Sequence, residues 1–535
     1  MSTAFVLSRV RKLINDLKNS VDSPLSKSRR VRLEAIIVAA SAAILIALAA
    51  AWFYGQGFIL YYGDAQSHLN ISRHILDSRT PGYEQIGGVW LPVLHLICLP
   101  FVVNDFLWSS GLAGTLPVAG CFIVAVTFFY LAAREMYDDW LAAAITGVCF
   151  ALNPNLLYLG SIPMAEVVFL AAFSVLLFSL LRFRRTQHRG LIVLAATASI
   201  MASLTRYDGW FLIPFFTLGF FMFARGRRLQ AAVLFGAIAS LGPIYWLAHN
   251  LWVFGDALDF YRGPGSAKAI NQRAIDAGQP PYHGDHNWRL AVLYYATAGR
   301  FCTGWPLFLV GIAGAAFAVW KRKATAICFL FLTPAFYIWS MYSSNAPIFV
   351  PTLYPFSYYN TRYGIAVLPL AAFGVGALVL AIPQRWRKAS VLLPLLAISP
   401  WLVHHSRQNW VCWKESERNS ISRRAWTAKA ADFLAQNYHN GDGILMSFSD
   451  LPGVLCRDRI HVAESLHEGN GPAWLVNAYR PDIIHSCKWA IAELTPEDPI
   501  SRAIDKANCK KTVYQTVLEI HTKDDPVIRI YRRTE

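Results

Sequence analysis

Long apolar runs separated by short polar stretches fill the chain from Leu33 to about His404. A helix needs about 20 mainly apolar residues to cross a bilayer. On that rule eleven membrane helices are predicted, near 34–60, 110–133, 139–158, 163–182, 190–206, 209–224, 230–250, 303–320, 324–342, 363–382 and 389–404. The first run ends at Gly63-Asp64-Ala65-Gln66-Ser67-His68-Leu69-Asn70-Ile71-Ser72-Arg73-His74. A carboxylate, two imidazoles and a guanidinium therefore stand where the chain leaves the membrane, a depth at which polar side chains are candidates for function. The spacing predicts a helix from Asp64 to Leu76, with Asp64 and His68 one turn apart and Arg73 paired to Asp77. Beyond it an apolar segment ending near Phe101 reads as interfacial or re-entrant.

After about His404 the pattern becomes that of a soluble module. A helix is predicted over Ala425–Tyr438, buried strands at Gly443–Phe448 and Lys488–Ala492, and a terminal hairpin from Val513–Ile520 and Val527–Tyr531. The fold class expected is mainly α: a polytopic bundle of about eleven spans with a C-terminal α/β domain. The domains expected are a basic amphipathic segment over 1–32, a membrane domain over 33–404 whose first external loop is 61–109, and a soluble domain over 405–535.

Composition agrees with this. Of 535 residues 55% are hydrophobic and only 15% charged, against about a quarter charged in soluble proteins. The net charge of +16 follows from the positive-inside rule, not from nucleic-acid binding. Arg182, Arg184, Arg185 and Arg189, then Arg225, Arg227 and Arg228, then Lys321–Lys323, then Arg385, Arg387 and Lys388 all fall on the side of the basic N-terminus. That side is read as cytoplasmic. The Asp64 segment, Arg206-Tyr207-Asp208, the loops near 251–302 and 343–362, and the C-terminus then face outward, to the periplasm of a bacterial-type inner membrane. Cys98, Cys121, Cys149 and Cys328 read as core residues. Cys412, Cys456, Cys487 and Cys509 leave one or two disulfides open. His95, His249, His283 and His286 lack metal-ligand spacing; a divalent cation is neither required nor forbidden.

The motif Gly63-Asp64-Ala65-Gln66-x-His68-Leu69-Asn70-Ile71-x-Arg73 directly after the first span resembles the first-loop signature of the type-C glycosyltransferase superfamily. The likeness is to its family 39, aminoarabinose-transferase-like and protein-mannosyltransferase-like group. Three further stretches are similar to that superfamily: Asn153-Pro154 through Glu166, Thr205-Arg206-Tyr207-Asp208-Gly209, and Tyr359-Asn360-Thr361-Arg362-Tyr363. Ala65 stands where relatives carry a second acid, and Trp90-Leu91 where they carry a lysine.

The resemblance implies a membrane glycosyltransferase acting at the external face on a sugar linked to a polyprenyl phosphate. It would invert the anomeric centre and serve a glycan, lipid or protein acceptor. Asp64 is the expected base, although an Asp here also suits a helix N-cap. Arg362 is the favoured ligand of the donor phosphate, because an arginine entering a span from the outer side needs an anion; Arg73 and Arg206 are its companions. His68, Trp90, Glu166, Asp208 and Tyr363 are the substrate-binding candidates. Glu166 equally suits a helix N-terminus, and Arg206 and Asp208 equally suit each other. The rival reading is a transporter or lipid-binding protein, disfavoured because no internal repeat is visible.

Overall fold

A computed structural model describes residues 24–403, 409–448, 451–481, 487–496, 498–509, 512–523 and 525–534. The basic segment expected to lie on the inner membrane face falls almost wholly outside these residues. Alanine-, leucine- and isoleucine-rich sequence from Pro24 keeps one helix unbroken to Gly55, where Gly57 takes a left-handed turn at φ 72°.

Each of the eleven apolar segments carries helix. Six helices among the described residues are long and apolar enough to cross a membrane: Ser28–Gly55, Leu112–Tyr137, Ala165–Thr186, Arg228–Phe254, Thr325–Tyr342 and Thr361–Val379. The segment near 303–320 differs from expectation. It is the second arm of a helix pair, Trp288–Thr303 and Trp305–Trp320, bent by 112° at Gly304, whose φ is 81°. The first arm lies within the stretch expected to be loop, and its outer face is amphipathic rather than wholly apolar.

Leu112–Tyr137 packs along Ala165–Thr186, and Trp305–Trp320 along Leu368–Val379. Small residues allow the second contact: a Cβ on Gly374 would collide with the Gly311 carbonyl, and one on Gly314 with the Gly374 carbonyl. Close approach at small residues replaces the hydrophobic drive that lipid removes.

The segment after the first span folds over one end of this bundle. Gly63–His74 is helical, followed by the short helices Val93–Val102 and Asp105–Ser110. The C-terminal module is a five-stranded sheet built from β1 Ile444–Met446, β2 Ser465–Leu466, β3 Trp489–Glu493, β4 Tyr514–Ile520 and β5 Ile528–Arg533. Its order is β2-β1-β3-β5-β4. β1 lies parallel to β2 and β3, while β5 runs antiparallel to β3 and β4. Both faces of β1 are buried, which is why Ile444-Leu445-Met446 does not alternate. The preceding helix Val411–Arg418 packs back onto Pro154–Leu159 and the turn Thr361–Val367 of the membrane part. All nine cysteines are free, Cys328 is exposed, and Cys412 meets Cys302 at 3.9 Å.

Candidate active site

Three other chain segments converge on Arg362. Its guanidinium is buried, and Asn360 before it turns left-handed at φ 51° to start the Thr361–Val367 turn. Nη2 donates to Asp64 Oδ2, Nε to Glu166 Oε1 at 3.2 Å, and Nη1 to Glu415 Oε1 at 3.0 Å. The Arg362 backbone N–H donates to Glu415 Oε2 at 2.9 Å. One planar cation thus holds three carboxylates, each on a different edge of its fork.

Asp64 sits in the first turn of Gly63–His74, where the helix dipole favours its charge. The helix is capped by Tyr62 without any side-chain bond, so Asp64 is not the N-cap. Its side chain is 40% exposed, whereas those of Glu166 and Glu415 are 4% and 1% exposed. Asp64 is the member of the trio that meets solvent. Burial pushes the Glu415 carboxyl up from its ordinary 4.5, and the Arg362 charge pulls against that shift.

A second knot adjoins the first. Arg206 Nη1 donates to Glu166 Oε1 at 3.1 Å, and its Nη2 to the Tyr337 hydroxyl at 2.7 Å. Tyr337 in turn donates to Asp208 Oδ2 at 3.1 Å. The Tyr363 ring stands between the two guanidiniums, 4.6 Å from that of Arg206 and 5.2 Å from that of Arg362. Four carboxylates therefore face two guanidiniums. Among the described residues no three His, Cys, Asp or Glu side chains converge as metal ligands.

These knots form one wall of a cavity of about 410 Å³. Asp64, His68, Trp90, Glu166, Arg206, Asp208, Arg362 and Tyr363 all line it. His68 Nδ1 lies 2.9 Å from His95 Nε2, and the His68 ring 4.5 Å from that of Trp90. Burial, helped by the charges of Arg362 and Arg206, brings the His68 imidazole down from 6.5 to about 3. It is neutral at neutral pH and orients by hydrogen bonding.

Arg73 is not in this cavity. Its Nε binds Asp77 at 2.7 Å, Nη2 binds Asp105 at 2.7 Å, and Nη1 donates to the carbonyls of Val102 and Val103. With its donors consumed it clamps the loop helices together and has nothing left for a phosphate. Three residues that sequence reasoning passed over complete the site. Glu415 lies beyond the break in hydropathy, Tyr337 in a wholly apolar run, and Lys268 in the long loop. Lys268, whose Nζ lies over the Tyr261 ring at 4.7 Å, lines the cavity as a cation from outside the two knots.

No family model and no curated protein matches the chain. Solved structures do. ArnT from Cupriavidus metallidurans bound to undecaprenyl phosphate aligns with a TM-score of 0.53 at 14% identity, over 91% of this chain and 97% of that one. The apo form of the same protein aligns at 0.48 and 15%, over 87% and 93%. The Archaeoglobus fulgidus oligosaccharyltransferase AglB, in complex with an inhibitory peptide and a dolichol-phosphate, aligns at 0.45 and 14%, over 94% and 74%. The first of these likenesses runs nearly end to end in both chains, and on it this chain shares the fold of that ArnT.

Proposed function

We propose that the chain is an integral membrane glycosyltransferase that moves a sugar from a polyprenyl-phosphate carrier to an acceptor, with Asp64 as the base. The observation that carries this is the meeting of a half-exposed carboxylate, Asp64, with the Arg362 fork on the wall of a cavity that is mostly apolar. Undecaprenyl phosphate is bound by the ArnT whose fold this chain shares.

In this reading the acceptor nucleophile donates its proton to Asp64 as it attacks the anomeric carbon. The carbon–oxygen bond to the lipid phosphate breaks, and its electron pair leaves on the phosphate. Arg362 and Lys268 neutralise the leaving anion, Lys268 taking the place of the cation missing at Trp90-Leu91. Attack opposite to departure inverts the anomeric centre. The buried Glu415 and Glu166 hold the Arg362 fork so that Asp64 can turn away from it to the acceptor. Arg206, tied to Glu166, Asp208 and Tyr337, is a positioning residue. The external orientation is supported by the basic clusters: Arg184, Arg185, Arg225, Arg322 and Lys323 gather in one recess that contains none of the active-site residues.

The test is Asp64→Asn in proteoliposomes supplied with polyprenyl-phosphate-linked sugars. Transfer falls by about a hundredfold or more, the ordinary worth of a positioned base. Undiminished transfer by a normally inserted variant removes Asp64 from the mechanism.

A further inference from the structure

Two thiols meet where the C-terminal module joins the membrane part. Cys302 lies in the last turn of Trp288–Thr303, just before the bend at Gly304, and Cys412 is the second residue of the helix Val411–Arg418. Their sulfurs are 3.9 Å apart, and both residues are fully buried. A disulfide bond is about 2.0 Å long, so the two sulfurs stand in van der Waals contact, unbonded.

The backbone around each thiol is held in place by side chains. Asn155 holds both at once: its Nδ2 donates to the Cys302 carbonyl at 3.0 Å, and its Oδ1 accepts from the Cys412 N–H at 3.0 Å. Asn153 Nδ2 donates to the same Cys302 carbonyl at 3.0 Å. The Tyr62 hydroxyl donates to the Cys412 carbonyl at 2.7 Å, and Tyr62 caps the helix that carries Asp64. The Cys302 thiol donates to the Thr361 carbonyl at 3.2 Å, one residue before Arg362. Glu415 follows Cys412 by three residues on the same helix, a spacing that puts both on one side. The pair thus lies between the helix that carries Glu415 and the turn that carries Arg362, although its members are 110 positions apart in sequence.

We propose that Cys302 and Cys412 form a disulfide that pins Glu415 beside Arg362. This rests on the outward orientation and on the role of Arg362 proposed above, since disulfides persist on the oxidising side of a membrane. The oxidant is the disulfide of a dithiol oxidase, met before the C-terminal module docks and buries the pair. The Cys412 thiolate attacks that disulfide, forming a mixed disulfide and releasing one oxidase thiolate. The Cys302 thiolate then attacks the Cys412 sulfur and releases the second. The two cysteine protons end on the two oxidase thiols. Cys302 and Cys412 are positioning residues.

The full-length protein is made in a bacterial host with and without its envelope dithiol oxidase, alkylated in denaturant during lysis, digested and read by mass spectrometry. The host with the oxidase yields a peptide pair linked at Cys302 and Cys412; the host without it, and Cys412→Ser, do not. In proteoliposomes the unlinked wild type has a donor KM about two- to tenfold above that of the linked protein, the cost of ordering one side chain on binding, and the same acceptor KM. Free thiols at both positions in the host with the oxidase overturn the proposal. Labelling of the exposed Cys509 by a membrane-impermeant maleimide in intact spheroplasts then puts the failure in the pair, and no labelling puts it in the orientation. A linked protein whose donor KM equals that of the unlinked form overturns the pinning. A donor shift in Glu415→Gln under the same titration leaves the role of Arg362 standing, and no shift there removes that role as well.

Discussion

Glu415→Gln separates a positioned Arg362 from one that is merely buried. The carboxylate accepts from Arg362 twice, at the backbone N–H (2.9 Å) and at Nη1 (3.0 Å), and is 1% exposed. Glutamine keeps the shape and one acceptor oxygen but turns an NH2 group toward one of those donors. One charge-assisted hydrogen bond is lost, worth about 1.5–3 kcal/mol. Asp64 and Glu166 still hold the other edges of the guanidinium, so the fold survives and its melting temperature drops by a few degrees. If the whole loss falls on the transition state, the rate falls roughly 10- to 100-fold. The assay is transfer from a lipid-linked donor in proteoliposomes, with donor and acceptor varied separately. With Arg362 in its proposed role at the donor phosphate, the defect appears in the donor dependence and leaves the acceptor KM in place. Wild-type turnover in a folded Glu415→Gln protein, or a defect confined to the acceptor, refutes the role.

Three other outcomes follow from the same geometry. Lys268→Gln raises the proposed donor's KM by up to roughly tenfold, the worth of an exposed cation near a phosphate, and leaves the melting temperature unchanged. His68 has its imidazole brought down from 6.5 to about 3, so the unfolded chain binds the extra proton. Stability from this group is complete above pH 6.5 and is lost as pH falls toward 3, by about 3 kcal/mol at about pH 4.5. His68→Gln flattens that acid limb in thermal melts at about pH 4.5 and 7.5; an unchanged limb assigns the loss to other groups. Gly374→Ala drives a methyl against the Gly311 carbonyl and costs at least about 1–3 kcal/mol, read as a lower melting temperature in detergent.

Much of this was legible in the chain because membrane helices announce themselves by length and apolarity. All eleven segments are helical, the Asp64 motif forms its helix, and the strands and hairpin of the C-terminal module fall within a few residues of expectation. Arg73 is instructive. Its i,i+4 pairing with Asp77 was readable, and it is the pairing itself, joined by Asp105 and two carbonyls, that disqualifies it as a phosphate ligand. Glu415 lay hidden for a different reason. It is 53 residues from Arg362, on a helix whose polar sequence resembles the soluble module, and no spacing rule connects the two. Trp288–Thr303 was hidden because Arg289 and Arg300, on its exposed face, break the run of apolar residues that marks a span.

The knot around Arg362 also bears on how the protein is made. Its members come from positions 64, 166, 362 and 415, so the chain inserts three of them before the fourth exists. Ribosomes add about 5–20 residues per second. Arg362 therefore waits several seconds after synthesis for the 53 residues that bring Glu415, attended meanwhile by Asp64 and Glu166 alone. A nascent chain arrested before Glu415 lacks one of the three carboxylates that surround Arg362.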